Sequence, residues 1–195
     1  MTRSTNTRFD PMRSLKAHFL IAMPAMGDPN FNETVTYLCK HDEEGALGIV
    51  INRPTDMLLE EVFRQLSLEP VDNRLAELPV LAGGPLRRDR GFVLHRSTEL
   101  YDSTLDAGAG IRMTVSPDIL TALAGGKGPN PVLVALGYAG WDSGQLEAEL
   151  AANAWLSVPA DDSVLFETPF EQRWAAAAGL LGVDIHQLAT YAGHA

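Results

Sequence analysis

Four arginines crowd into GGPLRRDRGFVLHR, the segment from Gly83 to Arg96, around one acid, Asp89. Guanidinium forks suit phosphate or carboxylate, and a Gly-Gly turn exposes backbone N–H groups to an anion. Gly83, Gly84, Arg87 and Arg90 are therefore candidate anion-binding residues; the competing reading is a solvated turn with surface arginines. His95 closes the segment as a candidate base or as a histidine satisfied within the fold. Asn52 and Arg53 stand before Pro54 at the end of an apolar run. Polar side chains there line a cleft, pair internally or cap the following helix.

A second group lies in GYAGWDSGQLEAEL, beginning at Gly137. Its small residues allow close backbone approach. Trp141 and Gln145 lead into a helix whose apolar stripe is Leu146, Leu150 and Ala154. At about 100° per residue, Glu147 and Asn153 each fall roughly 60° from the centre of that stripe, with Glu149 near its edge. Polar groups bordering a core need partners. A carboxylate there serves as a general base of raised pKa, caps a neighbouring loop or pairs with an arginine.

Several signatures are missing. There is no phosphate-binding G-x-x-x-x-G-K-[ST], no G-x-G-x-x-G and no G-x-S-x-G elbow. The histidines, at 18, 41, 95, 186 and 194, include no i, i+4 pair, and Cys39 is the single cysteine. No metal or cofactor is expected from such a set. One thiol makes no internal disulfide, and in the alternating run around it Cys39 reads as a buried strand residue.

The elements that must position these groups follow from periodicity and turn chemistry. Strands are expected at 19–23, 34–41, 46–53, 80–82, 92–95, 111–115 and 131–138, the last apolar enough to be central. The second and third form a hairpin across Asp42-Glu43-Glu44-Gly45. Helices are expected at 58–66, at 116–124 with Ser116 as cap, from 142 or 143 to 152, and from 168 to 181 with Gly182 in a left-handed cap. Residues 70–78 read as loop, 155–158 as extended, and 184–189 as a further turn or two. Strands come in early pairs without βαβα alternation. The expected fold is α+β: a mixed, mostly antiparallel curved sheet with a small barrel-like part, surrounded by helices.

Composition sets outer limits. The chain has 195 residues, 46% of them hydrophobic and 21% charged. That suits one globular domain, with residues 15–195 as the unit and 1–14 as a flexible tail. The net charge is −10, and residues 139–195 carry Arg173 alone against eight acids. Phosphate neutralisation needs lysine and arginine, so duplex DNA and anionic membranes are disfavoured partners. No stretch approaches the roughly 20 apolar residues of a membrane span. The cytoplasm is the default compartment.

Taken in order, HFLIAMPAMGDPNF, GALGIVINRP, GGP, RGFVLH and GYAGWDSGQLEAEL with Asn153 and Trp155 resemble the bacterial YqgE/AlgH family, from about Leu15 to the final residues. The resemblance implies a curved mixed sheet containing a small closed barrel within a shell of helices. Many members are described as transcriptional regulators, from a link to alginate production. It brings no catalytic residues, cofactor or substrate. The matching positions with functional chemistry are Asn52, Arg53, Gly83, Gly84, His95, Trp141, Gln145, Glu147 and Asn153.

Three functions compete. The favoured one is a non-enzymatic regulatory or adaptor protein that binds another macromolecule, most plausibly a protein. The alternative is an enzyme or sensor that takes a small anionic ligand, phosphorylated or carboxylate, in a cleft. The third is a purely structural subunit.

Overall fold

The protein is described here by a computed structural model over residues 14–184. Residues 1–13 of the expected 1–14 tail and residues 185–189 of the expected turns lie outside the described residues. The strands are β1 (His18–Ala22), β2 (Val35–Asp42), β3 (Gly45–Val50), β4 (Pro54–Leu58), β5 (Pro79–Ala82), β6 (Leu86–His95), β7 (Thr104–Gly108), β8 (Ile111–Thr114), β9 (Val132–Asp142) and β10 (Trp155–Pro159). The helices are α1 (Leu59–Gln65), α2 (Asn73–Ala76), α3 (Asp118–Ala124), α4 (Gln145–Ala151) and α5 (Arg173–Gly179), with a π-helical turn at Ser163–Glu167 and a 3₁₀ turn at Phe170–Gln172.

The sheet runs β10-β1-β2-β3-β9-β6-β8-β7, and β4 pairs β5, which pairs β9. Among the described residues, only the β5–β9 pairing is parallel. The fold is thus α+β, with a mixed, mostly antiparallel, strongly curled sheet. Curling brings β2 to β7: the Tyr37 hydroxyl, inside the curl, donates toward the Ala107 and Gly108 carbonyls at 3.0 and 3.1 Å. Around Tyr37 pack Phe19, Ile49, Phe92 and Leu94, and Val164, Leu165, Trp174 and Ala177 of the C-terminal helical segments close the same core. Strand alternation sends Val93 to the opposite face. There Leu59 and Phe63 of α1 and Ile119 and Leu123 of α3 cover the sheet. A third cluster joins Leu20 and Leu38 to Trp141, Trp155 and Leu146 under α4.

β9 is central, as its apolar run suggests, and it forces an unusual crossing. Ala135 pairs with Leu81 of β5 and also with Phe92 of β6. Those strands therefore flank β9 on opposite edges, and residues 83–85 must pass across its backbone. A Cβ at Gly83 would lie 2.3 Å from the Gly137 carbonyl oxygen, and one at Gly84 2.1 Å from the Tyr138 carbonyl carbon. From the other side, a Cβ at Gly137 would lie 2.5 Å from the Gly84 oxygen. Both Gly84 (φ +153°) and Gly137 (φ +77°) hold left-handed angles. Glycine is required where two backbones touch in this way.

Beyond the crossing, β6 advances five residues from Leu86 to Gly91 while β9 moves two, from Tyr138 to Leu136. Arg87, Arg88, Asp89 and Arg90 thus bulge from the sheet and are exposed. The arginine cluster lies within a strand, not in a turn before it. Other expectations also change. Pro54 begins β4 instead of ending a strand, a position where proline costs no ladder bond. The stretch read as loop contains α2, capped by Asp72. β7 was not expected; its sequence, TLDAG, is largely polar or small. The Ser116 hydroxyl does not cap α3. It accepts from the Ser103 N–H at 3.1 Å and donates to Asp118. Gly182 is left-handed as anticipated.

The crossing generates a prediction. Gly137→Ala should lower stability by about 3 kcal/mol, through overpacking and backbone strain. Gly91→Ala, where an added Cβ meets nothing within 4 Å, should stay within about 0.5 kcal/mol of the parent. Urea unfolding of both variants decides it; equal midpoints would refute the crossing.

Candidate functional site

Loop 27–33 is largely exposed, yet it is held from several directions. Arg53 donates from Nη1 to the Pro29 carbonyl at 3.0 Å and from Nη2 to the Asn32 carbonyl at 2.8 Å. Asn52 donates to the Glu33 carbonyl at 2.9 Å and accepts from the Val35 N–H at 2.8 Å. Arg88, from the bulge, reaches the Asn30 amide oxygen at 3.4 Å. Within the loop, Asp28 accepts from the Asn30 backbone N–H at 2.8 Å. Asn52 and Arg53 thus take the second option open to them: they pair with nearby main chain.

The clamp seats Phe31 on two tryptophans. Its ring stacks with Trp141, centroids 6.2 Å apart, and meets Trp155 edge-on at 5.4 Å. Both indole N–H groups donate to one oxygen of Glu149, at 2.9 and 2.8 Å. The other Glu149 oxygen accepts from Gln145 at 2.9 Å. Gln145 also receives the Asp142 N–H on its own oxygen. Glu147, one residue round the helix from the stripe, meets Nε2 of buried His41 at 2.8 Å. Because His41 Nδ1 accepts from the Leu15 N–H, the proton of the neutral ring sits on Nε2 and donates to Glu147. Asn153 is exposed and left-handed at φ +57°, ending α4 before Trp155.

The arginine bulge borders the other notable feature, a groove of about 460 Å³ between α1 and α3. Val134 and Leu136 of β9 line it, with Arg88 and Arg90 from the bulge. Arg87 pairs with Asp89 at 3.2 Å, which lowers the Asp89 pKa. The Gly83 N–H is bonded to the Leu136 carbonyl at 2.8 Å. Trp141 and Gln145 line a separate, shallower depression beside Lys40 and Leu86.

His95 is fully buried. Its Nε2 lies 2.8 Å from Thr114 Oγ1, which lies 2.8 Å from Thr104 Oγ1, which donates to the Tyr101 carbonyl at 3.0 Å. One placement of hydrogens satisfies all three contacts: His95 donates to Thr114, Thr114 to Thr104, and Thr104 to the carbonyl. Burial, aided by Arg112, depresses the His95 pKa to about 4. The ring is therefore neutral at pH 7 and a poor proton acceptor. Burial likewise raises the Cys39 thiol pKa, against a smaller opposing effect of Lys16, so the thiolate is suppressed. Among the described residues, no cluster of three or more His, Cys, Asp or Glu is arranged to hold a metal. No helix there is long and apolar enough to cross a membrane.

The candidate residues thus fall into distinct neighbourhoods. Asn52, Arg53 and Trp141 meet at loop 27–33, with Gln145 joined through Glu149. Gly83 and Gly84 form the crossing, Arg87 and Arg90 belong to the bulge, and His95 lies under Tyr101. Sequence reading passed over Phe31 as a contact and Arg173 as a buried cation. Arg173 donates to the Ile51 and Thr168 carbonyls at 2.6 and 2.9 Å and sits 4.4 Å above the Phe170 ring. Burial lowers its pKa to about 10. An arginine three residues after a phenylalanine is too common a spacing to have revealed it.

Two predictions follow from these contacts. Glu149→Ala strands two indole donors and should lower stability by about 3 kcal/mol. Glu149→Gln keeps one acceptor oxygen and should cost less than about half of that, as read by thermal unfolding; equal losses would refute the shared-oxygen geometry. His95 titrates at about 4 in the fold, against 6.5 for the ordinary side chain. Its contribution to stability is constant above pH 6.5, falls as the pH drops from 6.5 to 4, and levels off below. The total fall is about 3 kcal/mol. His95→Gln should flatten the stability curve in that window, and an unchanged slope would contradict the assignment.

Comparison with known proteins places the chain. The family model described as AlgH-like matches residues 19–186. A UPF0301 protein of Thioalkalivibrio sulfidiphilus is 54% identical over 177 residues, covering 91% of this chain and 95% of the relative. Another, from Nitrosococcus oceani, is 51% identical over 178 residues, with 91% and 95% covered. The solution structure of the AlgH protein from Pseudomonas aeruginosa superposes with a TM-score of 0.77 at 52% identity, covering 100% of both chains. A crystal structure from Corynebacterium diphtheriae, at 17% identity and a TM-score of 0.67, shares the fold, with 97% and 94% covered. The chain belongs to the AlgH-like family of UPF0301 proteins.

Proposed function

We propose that this protein is a regulatory or adaptor protein that acts by binding another macromolecule, with any effect on transcription indirect. The carrying observation is what its polar side chains do. Asn52 and Arg53 come from one segment and Arg88 from another, and all three bond to an exposed loop. A loop fixed in this way is preorganised for recognition, because its ordering cost is met before a partner arrives. Arg88 also lines the α1–α3 groove, so loop, arginine bulge and groove adjoin. A protein is the partner this surface suits best. Duplex DNA fits poorly with a chain of net charge −10.

A small anionic ligand is the second reading. It is favoured by one feature: Arg88 and Arg90 beside a groove whose volume, about 460 Å³, falls within the range of small-molecule sites.

Site-specific photocrosslinking in the cells that make the protein separates the two. A crosslinking residue at Asn30 or at Gln65 of α1 should give a discrete protein adduct. The same residue at Glu43, in the hairpin at the far end of β9, should not. Adducts of equal yield at all three positions, or none at Asn30 and Gln65, would overturn the adaptor reading. The second reading predicts no protein adduct and a raised melting temperature with small carboxylates or phosphates.

A further inference from the structure

We infer that the groove between α1 and α3 receives an acidic, amphipathic helical segment of a partner protein. This rests on the macromolecule-binding reading above and specifies its partner. Val62 of α1 and its C-cap Leu66 line the groove together with Leu120 of α3 and with Val134 and Leu136 of β9. Leu66 is 42% exposed, while Val62, Leu120 and Leu136 pack against the outer-face core. An apolar trough walled by two helices is the geometry that takes the apolar face of a third helix, through side chains at i, i+3 or i+4, and i+7.

The rim determines the sign of the partner. Arg87 is paired with Asp89, while Arg88 touches only the neutral Asn30 amide. Neither Arg88 nor Arg90 forms an ion pair among the described residues. Asp89 lies in the same lining and feels the charge of Arg90 as well as that of Arg87, so the bulge sets three arginines against one carboxylate; on a chain with 25 acids and 15 bases, the two guanidinium groups in excess beside an apolar trough are a selective feature. They complement carboxylates on the flank of the incoming helix, and they would repel a basic one. A single-stranded nucleic acid matches less well: the groove has no aromatic residue in its lining on which a base could stack. The bulge holds its arginines away from the sheet ladder. Its left-handed Arg87, φ +48°, is a conformation that non-glycine residues adopt at a cost.

The test uses the full chain and three synthetic helical peptides of about 15 residues. They share one leucine face and carry Glu, Lys or Gln on the flanks. Fluorescence anisotropy should show the Glu peptide binding at least about tenfold more tightly than the Lys peptide. The preference should shrink as salt rises from about 50 to 200 mM. Arg88→Glu with Arg90→Glu should reverse it in favour of the Lys peptide, an outcome that a merely unfolded variant cannot give. Leu120→Asp should weaken all three peptides. Equal binding of the three, no binding by any, or a preference untouched by the charge reversal would overturn the inference. If Asn30 or Gln65 still crosslinks to a protein in cells, the adaptor reading survives that failure; if neither does, both fall.

Discussion

The guanidinium of Arg53 grips two carbonyls of an exposed loop, and much of the candidate recognition surface depends on that grip. Loop 27–33 makes no strand pairing of its own; its peptide groups are bonded within the loop or to side chains from elsewhere. Arg53 and Asn52 lie at the end of the apolar run that forms β3, so the loop inherits the rigidity of the sheet. Phe31 is carried by the same loop onto Trp141 and Trp155. Both tryptophans in turn hang from Glu149 of α4. Segments more than 100 residues apart thereby form one assembly, held by neutral and charge-assisted hydrogen bonds around a small aromatic cluster.

A second constraint is the crossing at β9. One strand serves β3 and β5 on one edge and β6 on the other. The chain must then traverse that strand, and only glycine permits the contact distances observed. The bulge follows directly after it. The crossing therefore decides where the arginines emerge and where the groove opens. Geometry at the core and chemistry at the surface are linked here by a few peptide units.

Much of this was legible from residue types. The hairpin of β2 and β3, the amphipathic α1 and the central β9 are strongly patterned, and their hydrophobic faces bury as their periods indicate. β7 escaped because TLDAG is an edge strand with little to bury, and β4 because it opens on proline. The arginine bulge read as a turn because four successive exposed residues do not alternate. For the site, residue types were informative while their roles were not. A carboxylate near the stripe's edge needed a partner, and Glu149 has three donors, but nothing local says that two tryptophans supply them. A strand-end His95 looks like a base until burial makes it neutral. Such facts depend on long-range packing, and a single sequence does not encode them in any window.

On the adaptor reading proposed above, the strand-end polar groups are positioning residues for a recognition surface. The most direct test of that role is the backbone dynamics of loop 27–33 measured by ¹⁵N relaxation in the parent and in Arg53→Met. A clamped loop predicts order parameters near about 0.85 in the parent, falling below about 0.6 in the variant while β2 and β9 are unchanged. A loop already mobile in the parent, or one equally ordered without the guanidinium, would contradict the claim.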